Sequence, residues 1–251
     1  AISHGDGRVD LDRLIGFVAS YQTVGELTLG ELWAVPIMLR LALLENIRRV
    51  AARNAADRLN RNLAVQWVDR MVEVVATDPK SLILVIADMA RSNPPMGSAF
   101  VAEFARRLQG QSPGLTLSLT WVEQRLSESG MTIEQMVRLE NQQQAADHVS
   151  LSNSIRSLRF LGATDWREFV EAISLVEQRL RRDPPGIYAL TDFTTRDRCR
   201  HVVERISKRS SLSEVEVAAA AVELATEAAD ELGREDRRAN VNYFLLDRGL
   251  P

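Results

Sequence analysis

Four times along this chain a Thr, Asp or Ser is followed three residues later by Glu or Gln, just where an apolar helical period begins. The pairs are Thr28–Glu31, Thr132–Gln135, Asp165–Glu168 and Ser211–Glu214. This is capping-box spacing: the first side chain accepts from an early backbone N–H, and the second reaches back to the first residue's own N–H. A chain that announces helix starts this often is built from helices. Leu, Ala, Arg and Glu dominate it, and no strand-like alternation extends beyond VNYFLL at 241–246. The expected class is all-α.

The apolar periods place the elements. A first helix is predicted from about Asp10 to Tyr21, with Leu11, Leu14, Ile15 and Val18 on one face. A second starts near Leu29 and passes Val50, with Pro36 as its expected kink. Unbroken to Val75 it would be about 70 Å long, but the polar stretch 53–62 permits a bend. Shorter helices follow over Lys80–Arg91, Met96–Leu108 and Leu115–Ser129, separated by TDP, SNPP and QSPG, where Pro and Gly stop and start helices. Then come Thr132–Leu161, Trp166–Arg182, Phe193–Arg209 and Leu212–Leu232, and a short helix or strand over Ala239–Asp247. No internal repeat ties these together. The expectation is one multi-helix bundle or array over 1–251 with one or two long helices, and with possible sub-bundles 1–130 and 131–251.

Composition excludes several classes. Across 251 residues the net charge is only −3, without the basic excess of a nucleic-acid binder. The single cysteine, Cys199, allows neither an internal disulfide nor a thiolate cluster, and reads as a small apolar helix residue. Histidines at 4, 148 and 201 are too scattered for a zinc set, so no metal or cofactor is expected. The greasiest stretch, LWAVPIMLRLALLE at 32–45, carries Arg40 and falls short of the roughly twenty apolar residues of a membrane span. It reads as a core helix, and the fragment as soluble. The chain opens on Ala1 and closes on RGLP, which reads as a piece excised from a longer protein with no signal peptide.

Catalytic templates are missing. There is no glycine-rich phosphate loop, GxSxG or HExxH, and the Asp-x-Asp of DLD at 10–12 falls where Asp10 serves better as a helix cap. Trp33, Trp67, Trp121 and Trp166 sit on apolar helical faces and read as core. Two polar constellations remain. In ENQQQAADHVSLSNSIRSLR (140–159), Ala146, Val149, Asn153 and Ser157 share a face whose small residues admit a neighbouring helix, with Asn153 bonding across. In DPPGIYALTDFTTRDRCRH (183–201), Pro184 and Pro185 stop a helix and Gly186 turns the chain. Asp192 caps the next helix, bringing Arg196, Arg200 and His201 near one face, and Asp197 can pair with His201 four residues on. The expectation is a capped joint held by an arginine–aspartate network, with no nucleophile set beside a base.

Three stretches carry a resemblance. GELWAVPIMLRLALLENIRRVA (30–51), VSLSNSIRSLRFLGATDWREFVEAISLVEQRLRRDPPGIYALTDFTTRDRCRHVVERI (149–206) and NVNYFLLDRG (240–249) resemble the amino-terminal region of bacterial cyclic β-1,2-glucan synthases. The likeness is weakest over 76–130, and Cys199 stands where the family pattern TRD-x-YRH has a tyrosine. The resemblance implies a large inner-membrane glycosyltransferase that uses UDP-glucose to build a β-1,2-glucan on the protein itself and releases it as a ring. Its transferase and phosphorylase-like modules would lie downstream of this part. The chain would then be a non-catalytic helical accessory domain on the cytoplasmic side, docking to other modules of the same polypeptide. The alternative is a domain that binds the growing glucan, presenting exposed tryptophan faces beside amides and carboxylates. A hydrolase would need two carboxylates across a cleft. Of Tyr21, Tyr188 and Tyr243, Tyr188 is the first candidate to carry sugar, because the Pro-Gly joint would leave it accessible.

Overall fold

The computed structural model describes residues 6–247, so His4, Ala1 and the closing RGLP lie outside the described residues. Among those described there are twelve α-helices and no strand. The all-α class and the array with long helices are thereby established. The chain divides into two compact units. One holds Ala42–Leu158 with the stretch up to Arg8, and the other holds Val9–Leu41 with the chain from Arg159 on. Residue 130, the expected sub-bundle limit, falls inside the first of these.

The first unit contains most of α2 (Leu29–Thr77), then α3 (Leu82–Ser92), α4 (Ser98–Leu108), α5 (Thr116–Ser127) and most of α6 (Ile133–Ala163). The polar segment 53–62 does not bend α2 into two elements. It continues as one 49-residue helix with Pro36 inside it. Pro36 lies in the second turn, where the missing N–H costs a single bond. The core gathers Met71, Met89, Phe100, Phe104, Val122 and Leu126, with the rings of Phe100 and Phe104 stacked at 5.7 Å. α4 supplies both rings because 100 and 104 are one turn apart on its buried face.

Between α2 and α6 the first unit is polar where a coiled coil would be greasy. Asn46 donates to Ser150 Oγ and Ser154 Oγ, both at 2.9 Å, Arg53 pairs with Asp147, and Arg61 Nη1 reaches Glu140 Oε1 at 2.8 Å. Partner numbers fall on α6 as they rise on α2, so the two run antiparallel here. The sequence-derived face of α6 needs correction. Within the first unit its buried residues are Met136, Glu140, Asp147, Ser154 and Ser157, whereas Ala146 and Val149 are exposed. The cross-helix amide is Asn46, not the half-buried Asn153. Small serines here let other backbone close in. Gly7, at φ +81°, lies where a Cβ would come within 2.3 Å of Ser154 Oγ.

The second unit holds α1 (Leu11–Tyr21), the start of α2, α7 (Trp166–Ile173), α8 (Leu175–Leu180), α9 (Ile187–Leu190), α10 (Phe193–Ser207), α11 (Glu214–Leu232) and α12 (Val241–Leu246). α11 is its axis, packing against α8, α10 and α12. It can do so because, after Glu214 and Val217 in its first turns, its buried face is Ala218, Ala221, Ala225 and Ala229, small enough for close approach. The expected single helix 166–182 is two. Ser174 takes extended dihedrals (φ −67°, ψ 118°), ends α7, and caps α8 by accepting from Glu177 N at 3.2 Å. The last element, left open between helix and strand, is a helix.

Three of the four capping predictions hold in part or in full. Thr28 with Glu31 and Thr132 with Gln135 form reciprocal boxes. Asp165 caps through Arg167 N, one residue short of box register. The fourth is displaced: Ser213 and Glu216 form the box at the start of α11, not Ser211 and Glu214.

Candidate functional site

The Pro-Gly joint of the second unit folds as a set of helix starts pinned by carboxylates. Pro184 and Pro185 end α8's approach, and Gly186 takes φ +73° to turn the chain into α9. Asp183, nearly buried, accepts from Tyr188 N at 3.0 Å and from Val241 N at 2.9 Å, so one carboxylate holds the first turns of α9 and α12. Asp192 caps α10 by accepting from Thr195 N at 2.7 Å. That backbone bond is the main cause holding its carboxyl below the ordinary value.

Behind these caps lies a closed charge network. Arg200, 1% exposed, donates through Nη1 to Glu177 Oε2 at 2.6 Å and Glu171 Oε1 at 3.1 Å, and through Nη2 to Asp197 Oδ1 at 3.1 Å. Arg196 grips Glu171 with two 3.0 Å bonds and also donates to the Thr191 carbonyl. Arg181 Nε completes Glu177 at 2.8 Å. Tyr188 donates its hydroxyl to Glu177 Oε2 at 2.7 Å, and Phe193 lays its ring 5.0 Å under the Arg200 guanidinium. Three carboxylates thus meet three guanidinium groups around a pair, Arg200 and Glu177, that is fully buried, with Arg181 and Asp197 at the exposed edge. Burial by itself would lower Arg200's pKa. Glu177, then Asp197 and Glu171, outweigh it and raise the pKa above the ordinary value.

The arrangement is suited to holding helices, not to moving protons. Its acceptors are already taken up by fixed cations, and its two potential nucleophiles are suppressed. Burial pushes the Cys199 thiol up to about 12, with Sγ 3.1 Å from Asn242 Oδ1. Tyr188 is 0% exposed, against the expected accessibility. Burial and then Glu177 drive its phenol far above the usual range. Sugar could not reach that oxygen without opening the core, because the ring is a wedge between α8 and α10 and not a surface feature of the turn.

Arg196, Asp197 and Arg200 are therefore brought together as the sequence suggested. Asp192 stands apart as a cap. His201 lies at the rim, half exposed, with Nδ1 2.8 Å from the Asp197 carbonyl and 3.4 Å from Asp197 Oδ2, so the expected i, i+4 approach is made, while Asp197 Oδ1 serves Arg200. Asn153 belongs to the first unit. Glu171, Glu177, Arg181 and Asp183 were missed. The signal for Glu177 was present, since Ser174-x-x-Glu177 is itself a capping-box spacing inside an apolar run.

The first unit also carries an open groove of about 740 Å³, lined by Arg61, Glu103, Arg106, Arg138, Glu140 and Gln144 over a floor of Ala99 and Ala102. No aromatic side chain lines it. Trp166 is buried and donates to the Leu161 carbonyl at 2.9 Å, and Trp33, Trp67 and Trp121 are partly buried. None of the four tryptophans is fully exposed. Among the described residues no group of three or more His, Cys, Asp or Glu side chains is placed to hold a metal ion. No described helix is long and apolar enough to cross a membrane.

Fold and site together define a helical domain whose buried charges fasten elements to one another. No protein-family profile matches the chain. It is similar to the cyclic beta-(1,2)-glucan synthase NdvB of Rhizobium meliloti (strain 1021), with 30% identity over 252 residues. The match takes in 98% of this chain and 9% of that protein, so the chain spans a small part of its relative's length. The resemblance read from the sequence is borne out.

Proposed function

We propose that this chain is a non-catalytic helical domain of a cyclic β-1,2-glucan synthase, a scaffold for other modules of the same polypeptide on the cytoplasmic side of a bacterial inner membrane. The observation that carries this reading is the near end-to-end match to a glucan synthase, in a chain whose most elaborate polar cluster is closed and internally neutralised. UDP-glucose and the chemistry of transfer would then be handled by modules outside this chain, and the domain itself needs no cofactor. Its scaffold role fits the exposed apolar residues Ile37, Met38, Leu41 and Leu44 on α2, which a monomer gains nothing by displaying.

A second reading, that the domain handles the glucan, rests on the groove between α4 and α6. Its amides, carboxylates and guanidinium groups are the side chains that bond sugar hydroxyls, although the stacking ring that usually accompanies them is absent. Calorimetric titration of the chain with linear β-1,2-glucan and with UDP-glucose separates the two. Scaffolding predicts no heat with either. Saturable binding of the glucan, abolished by Gln144→Ala, would replace scaffolding with the second reading, and binding of UDP-glucose would overturn both.

A further inference from the structure

The groove between α4 and α6 lies wholly within the first unit. Its formal charge cancels, with Arg61, Arg106 and Arg138 set against Glu103, Glu134 and Glu140. Its bonding capacity does not cancel. Glu140, 4% exposed, gives Oε1 to Arg61 and Gln144 and Oε2 to Ser98. Glu103 gives Oε1 to Arg106 and Arg107 and Oε2 to Arg106 again. A carboxylate accepts about four bonds, so fixed partners nearly fill both. A guanidinium donates about five, and the arginines are far from filled. Arg61 engages Nη1, Arg106 engages Nε and Nη2, and the exposed Arg138 has no hydrogen-bond or ion-pair partner among the described residues. N–H donors are left over in the groove, and few acceptors are. We propose that it is the docking site for a short acidic segment from another module of the same polypeptide.

Chemistry and size select this occupant. Spare guanidinium N–H groups bond carboxylates about twice as strongly as neutral acceptors. A glucan offers hydroxyls, which donate as well as accept, and the groove has no aromatic ring for a sugar to stack on. α4 is eleven residues long, about 16 Å, so a segment of about five extended residues fills its length. Ala99 and Ala102 on the floor let a backbone lie close. Glu134, itself without a bonded partner among the described residues, is the one carboxylate that such a segment meets uncompensated. The site rests on the scaffold reading, for which it names the chemistry of a partner. A partner on the same polypeptide is present at an effective concentration of about a millimolar, so weak intrinsic affinity is enough to hold it.

NMR titration of the whole chain with an acetylated, amidated hexapeptide of alternating glutamate and alanine tests the site. Saturable shifts should appear in α4 and the first half of α6, with a Kd of about 1 mM at low salt. Arg138→Gln should weaken binding about three- to fivefold, with circular dichroism unchanged, and Glu134→Gln should tighten it by a similar factor. Salt at about 0.5 M should remove most of the binding, whereas a neutral sugar in the groove would be indifferent to it. In the full-length polypeptide carrying Glu134→Gln and Arg138→Lys, a carbodiimide should couple the introduced amine to an aspartate or glutamate outside this chain. No shift with the peptide, equal shifts with its glutamine–alanine counterpart, inorganic phosphate bound as tightly as the peptide, or coupling confined to this chain would each overturn the docking site and leave the scaffold reading standing. Saturable glucan binding in calorimetry would remove the scaffold reading and this site with it.

Discussion

Arg200 is a charge held where a leucine would ordinarily go. It survives there because Glu177, Glu171 and Asp197 take up its two Nη groups while Phe193 covers its face. The buried Nε has no hydrogen-bond partner, so the network stands near its limit. Removing one member leaves others buried and uncompensated, the costly case for an internal ion pair. Arg200→Met should destabilise the chain by about 3–5 kcal/mol, and Tyr188→Phe, which deletes one bond to a charged acceptor, by about 1.5–3 kcal/mol. Urea denaturation checks both. His201→Ala, at the rim, should leave the midpoint unchanged. Sequence made Arg196, Asp197 and Arg200 legible because they lie on one helix, at spacings that fixed geometry brings together. Glu171 and Glu177 approach from α7 and α8, and no local pattern encodes a meeting between helices.

At the scale of the element, boundaries are set by whichever side chain wins the free N–H groups of a first turn. Before α11 two serines compete in the same spelling, Ser211 with Glu214 and Ser213 with Glu216. The later pair wins because Glu214 is used elsewhere. Its Oε2 accepts from Leu29 N at 2.7 Å and so caps α2 from a distance of 185 residues in sequence. Ser213→Ala should therefore cost about 1 kcal/mol and Ser211→Ala close to nothing, in thermal or urea melts. Glu214 also makes stability depend on pH. Burial, against the pull of the Leu29 N–H, raises its pKa above the ordinary carboxyl value, with Glu204 and Glu31 adding to the rise and Lys208 opposing it. The folded chain then keeps a proton that the unfolded chain has released. This contribution is complete below the ordinary carboxyl pKa and is lost as pH rises through the raised one. Glu214→Gln keeps an acceptor for Leu29 without the charge. Its urea midpoint should match the parent at pH 4 and exceed it at pH 7.5. A parent whose midpoint relative to Glu214→Gln does not fall over that interval would contradict the sign.

At the scale of the whole molecule, two cores occupy two stretches of chain and answer to different packing rules. The first is built on bulky side chains, with Phe100, Phe104, Met71 and Met89 fully buried. The second is built on closeness, with the alanine face of α11 meeting Val203, Tyr188 and Val241. The helices themselves could be read from sequence because caps and apolar periods are local. The division into units could not. Both α2 and α6 run across it without a break in helix signal, so nothing in their spelling marks Leu41–Ala42 or Leu158–Arg159 as boundaries. What distinguishes the units is which distant residues pack together, and that is testable by local stability. Phe104→Ala opens a cavity in the first core and should cost about 3–5 kcal/mol. Val203→Ala does the same in the second on a smaller scale, because fewer atoms are deleted. Hydrogen exchange read by mass spectrometry should show the Phe104→Ala loss of protection concentrated in α3, α4 and α5, with α10, α11 and α12 retaining theirs, and the reverse for Val203→Ala. If each substitution lowered protection evenly from α3 to α12, the two cores would open as one cooperative body, with the continuous backbones of α2 and α6 overriding the separation of their side chains.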